Sequence, residues 1–139
     1  MTPCYGIVRT DVLRSTRLSQ LFYGADRVLL VELVLRGKLV EVPEPLYVRR
    51  QHAGQSGGWS TSTAQQLDEW VYPGFSGRSM PHSRLVAGYF RAVFEAPLSS
   101  DQRLRCLGLV GRWFLRDRTP RIVLGELRRA VRPAAANQP

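Results

Sequence analysis

The chain has 139 residues, a length that suits one domain, and its 44% apolar and 22% charged residues form an ordinary globular composition that argues against a wholly disordered chain. It contains no run of about 18 apolar residues and no secretory signal pattern, so we expect a cytoplasmic protein without a transmembrane helix. The net charge is +9 and every basic residue except Lys38 is an arginine, which admits phosphorylated ligands, nucleic acid or an anionic membrane as partners.

The first predicted elements are two helices. Thr10 is expected to be the N-cap of a short helix, because a hydroxyl side chain followed by Asp11 suits a helix start. Residues 25–36 predict a longer helix whose apolar side chains run nearly all round it. Most faces of this second helix should therefore be buried.

Two short strands are predicted after the second helix. Residues 39–42 combine β-branched side chains with alternation, residues 46–49 are similar, and Pro43 and Pro45 break the chain between them. Two strands are too few for the sheet of an α/β domain. We therefore expect a partial α/β domain, whose remaining strands would precede Met1.

The rest of the chain predicts a loop and then helices. Residues 57–81 are rich in Gly, Ser and Thr and indicate a loop with a helical piece near its middle. Apolar residues then recur at helical spacing, with Ser99 or Ser100 as one N-cap and Pro120 at the start of the last helix. The predicted fold class is a partial α/β half domain followed by an all-α C-terminal extension. The expected divisions are 1–56 for the half domain, 57–81 for the loop, 82–132 for the extension and 133–139 for a frayed tail.

Most familiar catalytic motifs are absent from the sequence. It has no P-loop, no G-x-G-x-x-G, no H-E-x-x-H and no G-x-S-x-G. Its two cysteines, Cys4 and Cys106, are far apart, so no zinc site is predicted. One ordered series of short motifs remains: Tyr5-Gly6-x-x-Arg9-Thr10-Asp11-Val12-Leu13, Gly24-Ala25-Asp26-Arg27, Val42-Pro43-Glu44-Pro45-Leu46-Tyr47 and Arg49-Arg50-x-His52.

This series resembles the C-terminal half of a family-2 glycosyltransferase domain, of the inverting GT-A type. The resemblance covers residues 3–56, and residues 82–132 look like the variable helical extension of one bacterial branch of that family. It implies transfer of a sugar from a nucleotide-sugar donor to a sugar or lipid-linked acceptor, as in hexosyltransferases.

Asp26 matches the position of the family's catalytic base. In an inverting transfer a carboxylate takes the proton of the acceptor hydroxyl while that oxygen attacks the anomeric carbon. Many members of the family carry Glu-Asp here, whereas this chain has Ala25-Asp26. Without the resemblance, the simpler interpretation of Asp26 is a carboxylate that only favours the positive end of a helix.

Four further positions match the family's pattern. The resemblance implies that His52 lies near the metal and the diphosphate, that Arg49 and Arg50 neutralise the leaving phosphates, and that Arg9 binds substrate. The alternative is that these side chains are solvated surface groups. His82 matches nothing in the family's pattern and is expected to be structural or exposed.

The largest departure from the family is the missing D-x-D. In the family these carboxylates belong to the N-terminal half and hold Mg or Mn with the nucleotide-sugar donor, but no D-x-D occurs in this sequence. We therefore predict no metal ligands and no retained cofactor in this chain. The segment should be inactive alone and should need an N-terminal half or a second copy as its partner.

A second interpretation is a non-enzymatic, basic helical module. Between Arg103 and Arg132 there are nine arginines against Asp117 and Glu126. Such a surface could bind an anionic membrane, giving a peripheral location, or nucleic acid. No nucleic-acid motif is present, which disfavours nucleic acid. The sequence alone does not decide between the enzymatic and the non-enzymatic interpretation.

Overall fold

The computed structural model describes residues 6–44, 46–48, 64–74, 79–116 and 118–131. Regular structure in these ranges is entirely helical. None of the helices within them is both long and apolar enough to cross a membrane. The six helices are α1 (Thr10–Arg14), α2 (Ala25–Val34), α3 (Ala64–Val71), α4 (Pro81–Glu95), α5 (Ser100–Arg116) and α6 (Thr119–Val131).

The predicted α/β fold class is wrong, because the described part of the chain is all-α. Residues 39–42 and 46–48, which were expected to form strands, have no regular structure. Their apolar side chains lie in solvent, and Val40 and Val48 are 85% and 89% exposed. A strand is stable only where a neighbouring strand satisfies its backbone groups, and the described residues supply no such neighbour.

The core lies where α2 crosses α4. Val28 and Leu85 are each 4% exposed and pack together with Phe22 and Ala25. Gly88 brings the two helices close, because a Cβ built on it would lie 2.8 Å from Cγ2 of Val28. Only a residue without a side chain leaves room for Val28 at this crossing.

Arg17 joins the segment after α1 to α2 and α4 through hydrogen bonds. Its backbone N–H donates to Oε2 of Glu32 at 2.9 Å, and its Nε donates to Oε1 of the same carboxylate. Its Nη2 also donates to the carbonyl of Gly88 at 3.3 Å, and its Nε lies 3.4 Å from Oε2 of Glu95. Glu32 is only 2% exposed, so Arg17 compensates a carboxylate that would otherwise be buried and unpaired.

The helical part of the prediction is confirmed for residues 82–131. α4 contacts both α5 and α6, and the last two helices also contact each other. Ser99 caps the start of α5, as expected. Its Oγ accepts from the N–H of Gln102 at 3.3 Å, and Oε1 of Gln102 accepts from the N–H of Ser99 at 3.0 Å. At α1, by contrast, the N-cap is Arg9, and Thr10 is the first helical residue.

Candidate functional site

Asp26 lies in the first turn of α2, with its side chain exposed. The turn before it needs glycine, because Gly24 has a φ of +84° and serves as the N-cap of the helix. A Cβ on Gly24 would also come within 3.2 Å of Cδ1 of Leu85. The Gly-Ala-Asp-Arg sequence thus places a solvent-facing carboxylate at the positive end of a helix that is packed on α4.

An aromatic ring and a cation accompany this carboxylate. The guanidinium carbon of Arg27 lies 5.9 Å from the ring centroid of Tyr23, within the range of a cation–π contact. Tyr23 also approaches His82, with ring centroids 6.5 Å apart and an angle of 48° between the rings. The N-terminal end of α2 and the first turn of α4 therefore share one surface.

Tyr89 lies on the core side of this surface. Burial raises the pKa of the Tyr89 hydroxyl; the charge of Arg27 lowers it and that of Asp26 raises it. The ring of Tyr89 also meets Trp113 edge to face, with centroids 5.1 Å apart and an angle of 74°.

His82 is held by a buried carboxylate from α6. Its Nδ1 lies 3.0 Å from Oε1 of Glu126, and Ser83 donates to Oε2 through its N–H at 2.8 Å and its Oγ at 2.6 Å. Burial opposes ionisation of Glu126, but the hydrogen bonds from His82 and Ser83 outweigh it and lower the pKa of Glu126 to about 2. An ionised carboxylate only accepts, so Nδ1 of His82 carries the proton and Nε2 is left as the ring's acceptor in the neutral form.

Sequence reasoning missed this part of the site. His82 belongs to none of the motifs in the ordered series, and 43 or more residues separate it and Ser83 from Glu126. The signal that was available is local: a proline at the first position of a helix with no acidic residue in its first turn. The free N–H groups of such a helix start must be satisfied by other groups of the fold or by water.

The groups around Asp26 do not make up the donor set of a metal site. Its described neighbours are the cation Arg27 and the ring of Tyr23, which Arg27 approaches at 5.9 Å. No group of three or more His, Cys, Asp or Glu side chains comes together within the described ranges. A divalent cation prefers several oxygen ligands, so the residues around Asp26 do not fit the Mg or Mn that the family resemblance implies.

Arg9 is engaged elsewhere. Its Nη2 lies 2.8 Å from Oδ2 of Asp11, and the two side chains are 81% and 65% exposed. The hydrogen bond from Arg9 lowers the pKa of the Asp11 carboxyl. The structure therefore shows Arg9 in an exposed ion pair with Asp11 at the start of α1.

The remaining predicted site residues, Arg49, Arg50 and His52, lie outside the described residues. No protein-family model matches the chain, and no curated protein or solved structure is significantly similar to it. The glycosyltransferase resemblance therefore rests on the ordered motifs of residues 5–52.

Proposed function

We propose that this chain is the acceptor-side segment of an inverting family-2 glycosyltransferase, with Asp26 as its catalytic base. The observation that carries the proposal is the position of Asp26: an exposed carboxylate in the first turn of α2, next to Arg27 and behind a turn that requires Gly24. An exposed carboxylate on a rigid helix end can reach the hydroxyl of an acceptor sugar.

The chemistry assigned to Asp26 is proton removal. Its carboxylate takes the proton of the acceptor hydroxyl while the hydroxyl oxygen bonds to the anomeric carbon from the side opposite the leaving group. The bond from that carbon to the donor diphosphate breaks, and its electron pair leaves with the diphosphate. Arg49, Arg50 and His52 are assigned to the leaving diphosphate on the resemblance, and Arg9 to substrate binding.

Catalysis on this proposal needs a second polypeptide segment that holds the nucleotide-sugar. The chain has no D-x-D, and without donor positioning an oriented base contributes little. The exposed apolar residues between Leu39 and Val48 support such a partner, because the described part of the chain leaves them uncovered. We propose that this stretch docks on the nucleotide-binding half.

The test is reconstitution with a nucleotide-binding half of a family-2 glycosyltransferase. Both polypeptides are purified separately, mixed, and assayed for release of nucleoside diphosphate from a panel of nucleotide-sugars. Transfer should require both, and Asp26→Asn should reduce the rate by at least about a hundredfold. The matched control is Asp101→Asn, an exposed first-turn carboxylate of α5, which should leave the rate unchanged.

Two results would contradict the proposal: one concerns the role of Asp26 and the other the function itself. Full activity of the folded Asp26→Asn variant would remove Asp26 as the base while leaving the function in place. Failure of the folded chain to support transfer with any donor and any nucleotide-binding half would remove the function itself.

A further inference from the structure

The outward surfaces of α5 and α6 expose large aliphatic side chains. Leu104 and Leu115 are 70% and 75% exposed, and Val131 is 82% exposed. Scattered single leucines are normal on a protein surface, but a concentration on two adjacent helices is not. We call the exposed aliphatic residues on these outward surfaces, together with the arginines beside them, the α5–α6 outer face. The aliphatic residues are Leu104, Leu109 and Leu115 on α5, and Leu124, Leu127 and Val131 on α6.

The same two helices carry a nearly unopposed positive charge. Among their described residues the only exposed carboxylate is Asp101, because Glu126 is 1% exposed and is already bonded to His82 and Ser83. Asp101 itself lies 2.9 Å from Arg105. The exposed arginines on and between the two helices are Arg105, Arg112, Arg116, Arg118, Arg121, Arg128 and Arg129.

On α5 the apolar and basic residues form adjacent lines. Leu104, Gly108 and Leu115 follow helical spacing along one line, and Arg105, Arg112 and Arg116 follow the line next to it. The glycines leave a shallow open depression between the larger side chains, lined by Gly108, Gly111, Arg112, Leu115 and Arg116. No atom lies within 4 Å of a Cβ built on Gly108 or Gly111.

α6 repeats this arrangement. Leu124, Leu127 and Val131 are separated by three and four residues and so share one line, and Arg121 and Arg128 lie beside it. Because α5 and α6 contact each other and both contact α4, their outward surfaces both turn away from α4. Each of the two helices therefore presents apolar and basic side chains on its surface away from α4.

We propose that the α5–α6 outer face binds the surface of an anionic lipid bilayer. The helices lie along the bilayer, the leucines and valine enter the boundary between headgroups and acyl chains, and the arginines bind lipid phosphates. Amphipathic helices with aliphatic residues beside Lys or Arg bind membranes in this way, through apolar burial and attraction to anionic lipid together. Arginine is well suited to phosphate because its guanidinium donates two parallel hydrogen bonds.

Nucleic acid fits this surface less well. A single-stranded nucleic acid gains affinity by stacking its bases on exposed aromatic rings, but the exposed large apolar residues of α5 and α6 are all aliphatic. The ring of Trp113 on α5 already packs against Tyr89. Aliphatic side chains add nothing to phosphate binding, whereas a membrane uses both kinds of residue.

A second copy of the chain also fits less well. An isologous pairing of this face would bring the arginines of one copy against those of the other, with Asp101 as the sole exposed carboxylate of the described α5 and α6 residues to oppose them. Like charges brought together across an interface oppose association. The membrane proposal does not depend on Asp26 and stands even if the proposed glycosyl transfer is wrong.

The test is sedimentation of the full chain with vesicles. Vesicles of phosphatidylcholine alone are compared with vesicles containing about 30% phosphatidylserine, at low and physiological salt. We expect binding to the phosphatidylserine vesicles that weakens with salt, and little binding to the neutral ones. Analytical ultracentrifugation without lipid should show a monomer, and circular dichroism should show that each variant keeps its helices.

Two variants separate the charged and the apolar contributions. Arg112→Gln/Arg116→Gln/Arg128→Gln should weaken binding about a hundredfold, since each arginine near an anionic surface contributes about fivefold. Leu104→Ser/Leu115→Ser should weaken it on the order of tenfold or more, because inserted leucines are lost. The matched controls are Arg14→Gln and Val40→Ser/Leu46→Ser, which remove exposed side chains elsewhere and should leave binding unchanged.

Three outcomes would overturn the proposal. The first is no sedimentation with phosphatidylserine vesicles at low salt. The second is binding to a DNA or RNA duplex that equals vesicle binding and is unaffected by Leu104→Ser/Leu115→Ser, which would identify a nucleic-acid surface. The third is a dimer without lipid that this leucine variant converts to a monomer, which would identify a contact between copies.

Discussion

The backbone N–H of His82 donates to Oε1 of the buried Glu126 carboxylate at 3.1 Å, and Nδ1 of the same histidine lies 3.0 Å from that oxygen. Because His82 is in the first turn of α4 and Glu126 is on α6, the pair joins the two helices. The N-cap residue Met80 makes no side-chain capping bond. A carboxylate from another helix therefore satisfies the free N–H groups at the start of α4.

Acid should destabilise the fold through Glu126. Its pKa is about 2 in the folded chain against 4.5 ordinarily. A lowered carboxyl pKa gives stability that is complete above the ordinary pKa and is lost as the pH falls toward the folded value. We expect the free energy of unfolding to fall by about 3 kcal/mol between about pH 6 and pH 2 from this group.

Urea titrations across this pH range would measure the loss. Glu126→Gln should be less stable at pH 7 and should show a flatter dependence on pH, whereas the exposed Glu44→Gln control should follow the parent chain. Identical pH profiles for the parent and Glu126→Gln would show that Glu126 is not the group responsible.

Gly88→Ala should destabilise the crossing of α2 and α4. The added methyl group would lie 2.8 Å from Cγ2 of Val28, and overpacking of this kind costs about 1 to 3 kcal/mol. Gly108→Ala is the matched control, because it meets no atom within 4 Å and should stabilise α5 by about 0.5 to 1 kcal/mol. Thermal unfolding followed by circular dichroism would check both; equal shifts for the two variants would contradict a tight crossing.

Arg17→Ala should be among the most damaging single substitutions. It removes the guanidinium that pairs with the Glu32 carboxylate, which is 2% exposed, and keeps the backbone N–H donor of residue 17. Breaking a buried ion pair costs about 3 to 5 kcal/mol. Arg14→Ala removes a nearby exposed arginine and should cost less than about 0.5 kcal/mol. Chemical denaturation of both variants is the measurement, and a small loss for Arg17→Ala would mean that solvent reaches Glu32.

Asp26→Asn should leave the fold almost unchanged. The side chain is exposed, and a first-turn carboxylate stabilises a helix by less than about 1 kcal/mol. A shift in the unfolding temperature of no more than a few degrees is expected. A large loss of stability would instead indicate a structural role, which would make any loss of transfer activity uninformative about a base.

One part of the candidate site could be predicted from the sequence and another part could not. The exposed position of Asp26 at a helix start follows from Gly24-Ala25-Asp26, because glycine permits the left-handed turn and the apolar helix must begin there. The approach of His82 to Tyr23 and its bonds to Glu126 were not predictable. They join residues far apart in the sequence that share no motif.

The sequence by itself determined where most helices lie, because helical periodicity, caps and prolines act over a few residues: Ser99 with Gln102 begins α5, and Pro120 opens α6. Only the tertiary structure decided whether residues 39–42 form a strand. Their side chains favour a strand, but a strand exists only when another segment supplies hydrogen bonds, and within the described residues none does. The tertiary structure also decided which carboxylates are buried. Glu32 and Glu126 resemble surface glutamates in the sequence, and distant Arg17 and His82 make their burial favourable.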